Sequence, residues 1–302
     1  MMAFCTFEEI EKYVVERGLA KKVALCGAQD KPALEAVVDA KHKGVISAVL
    51  IGVEDEIRTI LAELGENAAD YEIIDEPDEI LSAKMAVKMV KEGKADIPMK
   101  GLMQTSGCLC AILDKENVIL PQGKVLSRCM AFEFPEQHRM MFAGDCAMNI
   151  TPDVAEKAEI IKNSAELARK FGIEKPKVAC LFALEKVNPK MQSSVDAAEL
   201  AAMDWHEDCE VEDPFALDNA VDLKAALHKG ITGGVADRAD VLLMSSLDMG
   251  NVFYKTMHFF AHAKMASALC GTEHPVVLTS RTDSPEGKYN SILVAVMQAV
   301  NA

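Results

Sequence analysis

Short apolar, β-rich runs punctuate the first hundred residues at Val23–Cys26, Ala48–Ile51, Tyr71–Ile74 and Ala95–Ile97, recurring about every 24 residues. Between them apolar positions recur at helical spacing. Thr6 with Glu9 has the pattern of a capping box and predicts the start of a first helix. Pro32 predicts the first turn of a second, which runs to His42-Lys43-Gly44. A third helix is predicted over about 54–64, ending at Gly65, and a fourth over about 78–92, ending at Gly93. Glycine just past a helix adopts the left-handed cap conformation at no steric cost. Strand and helix in alternation imply βαβ units and a parallel sheet, because parallel neighbours require such crossovers.

The middle of the chain breaks this rhythm. Val125–Phe134 and Arg139–Ala143 flank Pro135-Glu136-Gln137-His138, a pattern that predicts an antiparallel hairpin. A long helix is predicted over 152–171, a strand at Val178–Phe182, helices over 194–204 and 218–228, and a strand at Val241–Ser245. A helix over 250–269, a strand at Val276–Thr279 and a last helix from Pro285 complete the pattern, with loops at 207–214 and 230–234.

A length of 302 residues fits about two domains, and 50% hydrophobic residues suffice for their cores. Asp and Glu total 47 against 32 Lys and Arg, a formal charge of −15. This disfavours nucleic-acid binding, which needs a basic face to displace counterions. A small anionic ligand remains compatible, since a few local cations can serve one pocket. The acidic, amphipathic start is not that of a secretory signal, and no run approaches the ~18 apolar residues of a membrane span. Nine cysteines, most inside apolar runs, fit reduced thiols in a cytoplasm.

Phosphate-loop, dinucleotide-fingerprint, nucleophile-elbow and His-Glu-x-x-His motifs are all absent. His258 and His262 have the spacing of a two-His metal face but lack an evident third ligand, and Cys108 and Cys110 point to different faces of a helix, so no metal is expected. Three strand-to-helix turns carry more. Val276–Thr279 runs directly into Ser280, Arg281 and Asp283 before a helix; Gly250 and Asn251 open another helix ahead of Lys255; Lys100 precedes Gly101 and Thr105. Ligands bind at the carboxyl ends of strands in α/β folds, and helix N-termini attract anions. Cations, hydroxyls and an amide in such turns point to a site for anionic ligands that works by positioning and charge stabilisation.

Lys100-Gly-Leu-Met-Gln-Thr105, Asp145-Cys-Ala-Met-Asn149, Val187-Asn-Pro-Lys-Met191, Leu217-Asp-Asn219, Gly250-Asn-Val-Phe-Tyr-Lys255 and Leu278-Thr-Ser-Arg281 follow one another in this order. In these motifs the chain resembles the phosphate acetyl/butyryltransferase family over essentially its full length, and its butyryl-type members most closely. The resemblance implies a two-domain α/β fold like that of the isocitrate and isopropylmalate dehydrogenases, with a cleft between the domains. Mostly parallel sheets would carry an antiparallel portion from the hairpin. It places a first domain at 1–148 plus 273–302 and a second at 149–272. It also implies reversible transfer of a short-chain acyl group between coenzyme A and inorganic phosphate, by direct attack, in a homo-oligomer. Coenzyme A is then a substrate, and no cofactor, membrane or nucleic acid takes part.

By the same resemblance Ser280 and Arg281 lie at the reacting centre. Lys100, Thr105, Asp145, Asn149, Lys190, Asn251, Tyr254, Lys255, Thr279 and Asp283 are candidates for holding the substrates. Acetyl-type relatives carry an Asp six residues after the Arg, proposed to take the thiol proton. Gly287 stands there in this chain, which leaves Glu286 as the adjacent carboxylate. Asp213 replaces a Gly usual before Pro and is expected to alter a loop rather than the chemistry. Rival readings are a phosphate acetyltransferase, a decarboxylating dehydrogenase of the same fold, and a non-catalytic acyl-coenzyme A binding protein. For the dehydrogenase, Asp204/Asp208 and Asp218/Asp222 are the carboxylate pairs at helical spacing.

Overall fold

The computed structural model describes residues 3–114 and 119–300. The chain divides into two compact units, a terminal one of residues 7–124 with 266–302 and a central one of residues 1–6 with 125–265. The terminal unit begins as α1 (Phe7–Glu16), β1 (Lys21–Cys26), α2 (Lys31–His42), β2 (Ile46–Gly52), α3 (Glu54–Glu63), β3 (Glu72–Asp75), α4 (Glu79–Lys91), β4 (Ile97–Lys100) and α5 (Thr105–Ile112). The four strands are parallel in the order β3-β2-β1-β4. Val23, Ala24, Leu25, Val49, Leu50 and Ile51 are all fully buried, which is why these strands read as unbroken apolar runs rather than alternating ones. Gly44, Gly65 and Gly93 end their helices with positive φ, as the sequence implies.

The central unit follows as β5 (Ser127–Phe134), β6 (Arg139–Gly144), α6 (Val154–Lys170), β7 (Lys177–Leu181), α7 (Gln192–Ala201), β8 (Glu210–Phe215), α8 (Leu217–Val221), α9 (Leu223–His228), β9 (Val241–Leu243) and α10 (Leu247–Phe259). Its strands lie in the order β5-β6-β9-β7-β8. The hairpin β5–β6 is antiparallel, with Met130 opposite Ala143, and the remaining pairs are parallel. Helix α6 lies against β6 and β9, and behind it Phe142 meets Phe171 edge-on at 5.3 Å. The chain then forms β10 (Met265–Cys270) and α11 (Pro285–Ala299). In the terminal unit Val277 bridges Met99 in parallel and Val276 bridges Leu269, so residues 276–277 extend the sheet beyond β4. Helix α11 packs beside α1 and α2.

Four expectations change. The helix expected over 250–269 is two elements: α10 begins earlier and stops at Phe259, and β10 follows. Met265-Ala-Ser-Ala-Leu-Cys270 is buried along its whole length and so shows no two-residue alternation. His262, with φ of 49°, lies in the turn between them, so His258 and His262 do not share a helix face. The loop expected over 207–214 is largely β8, an edge strand, where charge and proline are tolerated. The helix over 218–228 is split at Asp222, whose carboxylate caps α9 by accepting from the Ala225 N–H. The compact units exchange at 125 and 266, where the sequence reading has 149 and 273. The reason is that β6 pairs with β9 and carries the hairpin into the central sheet.

Candidate active site

In the terminal unit, β1, β4 and the Val276–Val277 segment run in parallel and deliver their carboxyl ends to one edge. Lys100 is the last residue of β4 and is 2% exposed. Its Nζ donates to the carbonyls of Gly101 and Met103, each at 3.3 Å. The turn is tight: a Cβ on Gly101 would stand 2.3 Å from the Gly27 carbonyl oxygen. Burial holds the Lys100 pKa below the ordinary lysine value, and the charge of Lys288 lowers it further.

The neighbouring segment places Thr279, buried, next to half-buried Ser280 and exposed Arg281. The Ser280 N–H donates to Oδ2 of buried Asp283 at 2.7 Å. Ser280 Oγ lies 3.0 Å from Thr282 Oγ1 and accepts from the Thr282 N–H at 3.3 Å. Ser284 caps α11 through the Gly287 N–H. Lys288, which the sequence motifs do not single out, is 1% exposed and donates to Thr279 Oγ1 and the Ser280 carbonyl at 3.2 and 2.9 Å. Lys100, Thr279, Ser280, Asp283 and Lys288 thus form one cluster. Thr105 opens α5 and Glu286 lies in the first turn of α11, both exposed. Beside Lys100 sits a thiol pair: Cys26 is pushed up by its hydrogen bond to Cys108 and by burial, and the Cys108 thiol is lowered by that bond and by the Lys100 charge.

In the central unit Asp145 organises a turn. Its carboxylate accepts from the backbone N–H groups of Arg128 (3.0 Å), Ala147 (3.0 Å), Met148 (3.2 Å) and Asn149 (2.7 Å), and from Asn149 Nδ2 at 2.5 Å. Asn149 Nδ2 also reaches the Leu126 carbonyl at 3.0 Å. The first turn of α10 abuts this frame at Gly250, where a Cβ would stand 2.1 Å from the Asp145 carbonyl oxygen. Gly250→Ala is therefore expected to displace α10 and to cost about 1–3 kcal/mol, the usual penalty of overpacking. Urea unfolding checks this, and an unchanged midpoint refutes the close approach.

Ser246, rather than Asn251, caps α10, and Asn251 is exposed in the following turn. Tyr254 is buried beneath the Arg128 guanidinium, 5.2 Å from its ring centroid. Lys255 Nζ lies 5.4 Å from the same ring and 5.8 Å from that of Phe259. Lys190 is exposed between β7 and α7. A lone Arg in a strand gives no motif, and Arg128 went unremarked in the sequence for that reason. In the loop of residues 230–234 the N–H groups of Gly234 and Val235 donate to the Glu212 carboxylate at 2.8 and 3.1 Å. Of the carboxylates named for a dehydrogenase, Asp218 pairs with Lys229 at 2.8 Å and Asp222 caps α9, while Asp204 lies 3.2 Å from His206 and Asp208 3.9 Å from Arg169.

The family model described as Phosphate acetyl/butaryl transferase matches residues 54–296. The chain belongs to this family. Phosphate butyryltransferase of Clostridium acetobutylicum is 45% identical over 299 residues, covering 98% of this chain and 99% of that relative. Phosphate acetyltransferase of Thermotoga maritima is 39% identical over 294 residues, covering 96% and 99%. A solved structure of a branched-chain phosphotransacylase from Enterococcus faecalis V583 is 33% identical and superposes with a TM-score of 0.84 over 92% of this chain and 99% of that one. The protein is an acyltransferase, and the dehydrogenase reading falls away. Among the described residues no helix is long and apolar enough to cross a membrane.

Proposed function

We propose that this acyltransferase moves a butyryl group, or a short-chain acyl group of similar size, reversibly between coenzyme A and inorganic phosphate. The observation that carries the reading is the buried Lys100 beside Thr279 and Ser280 at the strand ends of the terminal unit, in a chain alike end to end with a phosphate butyryltransferase. A phosphate oxygen attacks the thioester carbonyl, the carbon–oxygen bond forms, the carbon–sulfur bond breaks, and the thiolate leaves with the electron pair and takes up a proton. In reverse the thiolate attacks the acyl phosphate. Ser280 and Arg281 donate to the tetrahedral oxyanion; each such donor is typically worth about 3–4 kcal/mol. Holding both substrates in reacting geometry supplies about 7–11 kcal/mol more.

Lys100 and Thr279 serve the phosphate, with Thr105 at the adjacent helix start. Asp283 holds the Ser280 turn, and Glu286 is the carboxylate available for the thiol proton. In the central unit Lys190, Asn251 and Lys255 are available to the phosphates of coenzyme A, whereas Asp145, Asn149 and Tyr254 shape the turns beside them. Coenzyme A acts as a substrate, no cofactor is needed, and the enzyme works in the cytoplasm as a homo-oligomer. Thiol release from a panel of acyl-coenzyme A esters, with and without phosphate, tests the reading. Release that does not depend on phosphate overturns it.

Direct transfer needs no acyl-enzyme. Burial pushes the Cys129 thiol up to about 12 and that of Cys209 to about 11, and raises Cys146 as well. Cys108 is the exception, with its thiol lowered beside Lys100. Replacing Cys108, Cys110, Cys146 or Cys270 by Ser, one at a time, is expected to leave sequential kinetics intact. Trapping of an acyl thioester on any of them, or ping-pong patterns, would show a covalent route instead.

A further inference from the structure

Burying an ammonium is unfavourable unless hydrogen bonds replace its water. Lys288 is in the first turns of α11, close to a surface-exposed helix start, and yet is 1% exposed. Its Nζ reaches the Ser280 carbonyl oxygen at 2.9 Å and Thr279 Oγ1 at 3.2 Å. The N–H of the same serine is held by Asp283 Oδ2 at 2.7 Å. Both backbone polar groups of Ser280 are therefore tied to charged side chains, one anionic and one cationic. Fixing the N–H constrains φ, and fixing the C=O constrains ψ. Together they decide where Ser280 Oγ points and where Arg281 leaves the turn. The Asp283 N–H also reaches the Ser280 carbonyl, at 3.2 Å, and Lys288 Nζ is the shorter and the charged of its two donors.

We infer that Lys288 is a positioning residue for acyl transfer, whose ammonium locks the Thr279–Ser280 turn so that Ser280 and Arg281 meet the substrate in one orientation. The inference rests on the roles proposed above for Ser280 and Arg281. After burial, the Lys288 charge is the next cause of the lowered Lys100 pKa, which agrees with an ammonium near the Lys100 side of the turn as well.

The test is a double-mutant cycle in the full-length enzyme, using Lys288→Met, Ser280→Ala and the pair, with butyryl-coenzyme A and phosphate. A misplacement of catalytic groups by about 1 Å lowers turnover up to about a hundredfold. Lys288→Met is therefore expected to lower kcat by about ten- to a hundredfold, with a much smaller change in KM for the ester. In the Ser280→Ala background the same substitution is expected to cost little, because the group it orients is gone. Lys288→Gln, which keeps a donor for the Ser280 carbonyl without the charge, should recover part of kcat and serves if the Met variant does not fold. A folded variant with unchanged kcat overturns the inference, and so does a loss equally large with and without Ser280. A wild-type enzyme without phosphate-dependent turnover would instead remove the reaction itself.

Discussion

Arg281→Ala is expected to lower kcat/KM by about two to three orders of magnitude, the cost of removing a preorganised oxyanion donor, while the fold survives. Arg281 is exposed directly after Ser280, and its guanidinium makes no hydrogen bond or ion pair among the described residues. No hydrogen bond or ion pair among the described residues depends on it, so the thermal midpoint should barely move; exposed substitutions of this kind usually change stability by less than about 0.5 kcal/mol. In the proposed reaction the side chain meets substrates that bring a phosphate and a developing oxyanion. A planar guanidinium donates to such a pair through a rigid fork, which an ammonium lacks. Arg281→Lys should accordingly recover only part of the rate. Steady-state kinetics on the purified variant decide the matter, and near-normal activity in a folded Arg281→Ala protein takes the residue out of the mechanism.

Much of the fold was legible because each element carries its own punctuation. Pro32, Gly44, Gly65 and Gly93 mark the helices of the terminal unit, and Pro135-Glu136-Gln137-His138 marks the hairpin. The losses fall where a local pattern does not discriminate. Met265–Cys270 is buried on both faces and reads equally well as the end of a helix. Glu210–Phe215 is charged and contains proline, and reads as a loop until its place at the sheet edge is known.

The site divides in the same way. Ser280, Arg281, Lys100 and Thr279 follow from the rule that strand ends carry ligands. Lys288 does not, because its partners lie eight and nine residues away in the chain and only the packing of α11 brings them together. Asp145 and Asn149 were legible as a motif but not in role: the structure shows the carboxylate taken up by the turn it builds.

Butyryl-coenzyme A is expected to be preferred over acetyl-coenzyme A by about ten- to two-hundredfold in kcat/KM, the range that extra methylenes command in a fitted apolar pocket. Identity alone does not decide this, since a butyryl-type relative at 45% and an acetyl-type relative at 39% both match nearly the whole chain. The argument is physical. A butyryl chain buries two more methylenes than an acetyl group, each worth about 0.8 kcal/mol. In the turn after β4 Met103 is buried beside Cys26, its Sδ 3.9 Å from the Cys26 thiol, and its carbonyl accepts from Lys100 Nζ. Methionine adapts its shape to irregular apolar ligands. Leu102, between Gly101 and Met103, is 44% exposed and available to a chain laid along the turn. The two esters should be compared at one phosphate concentration. Equal values of kcat/KM, or a preference for acetyl, would make the protein an acetyl-transferring member of the family and leave the reaction type unchanged.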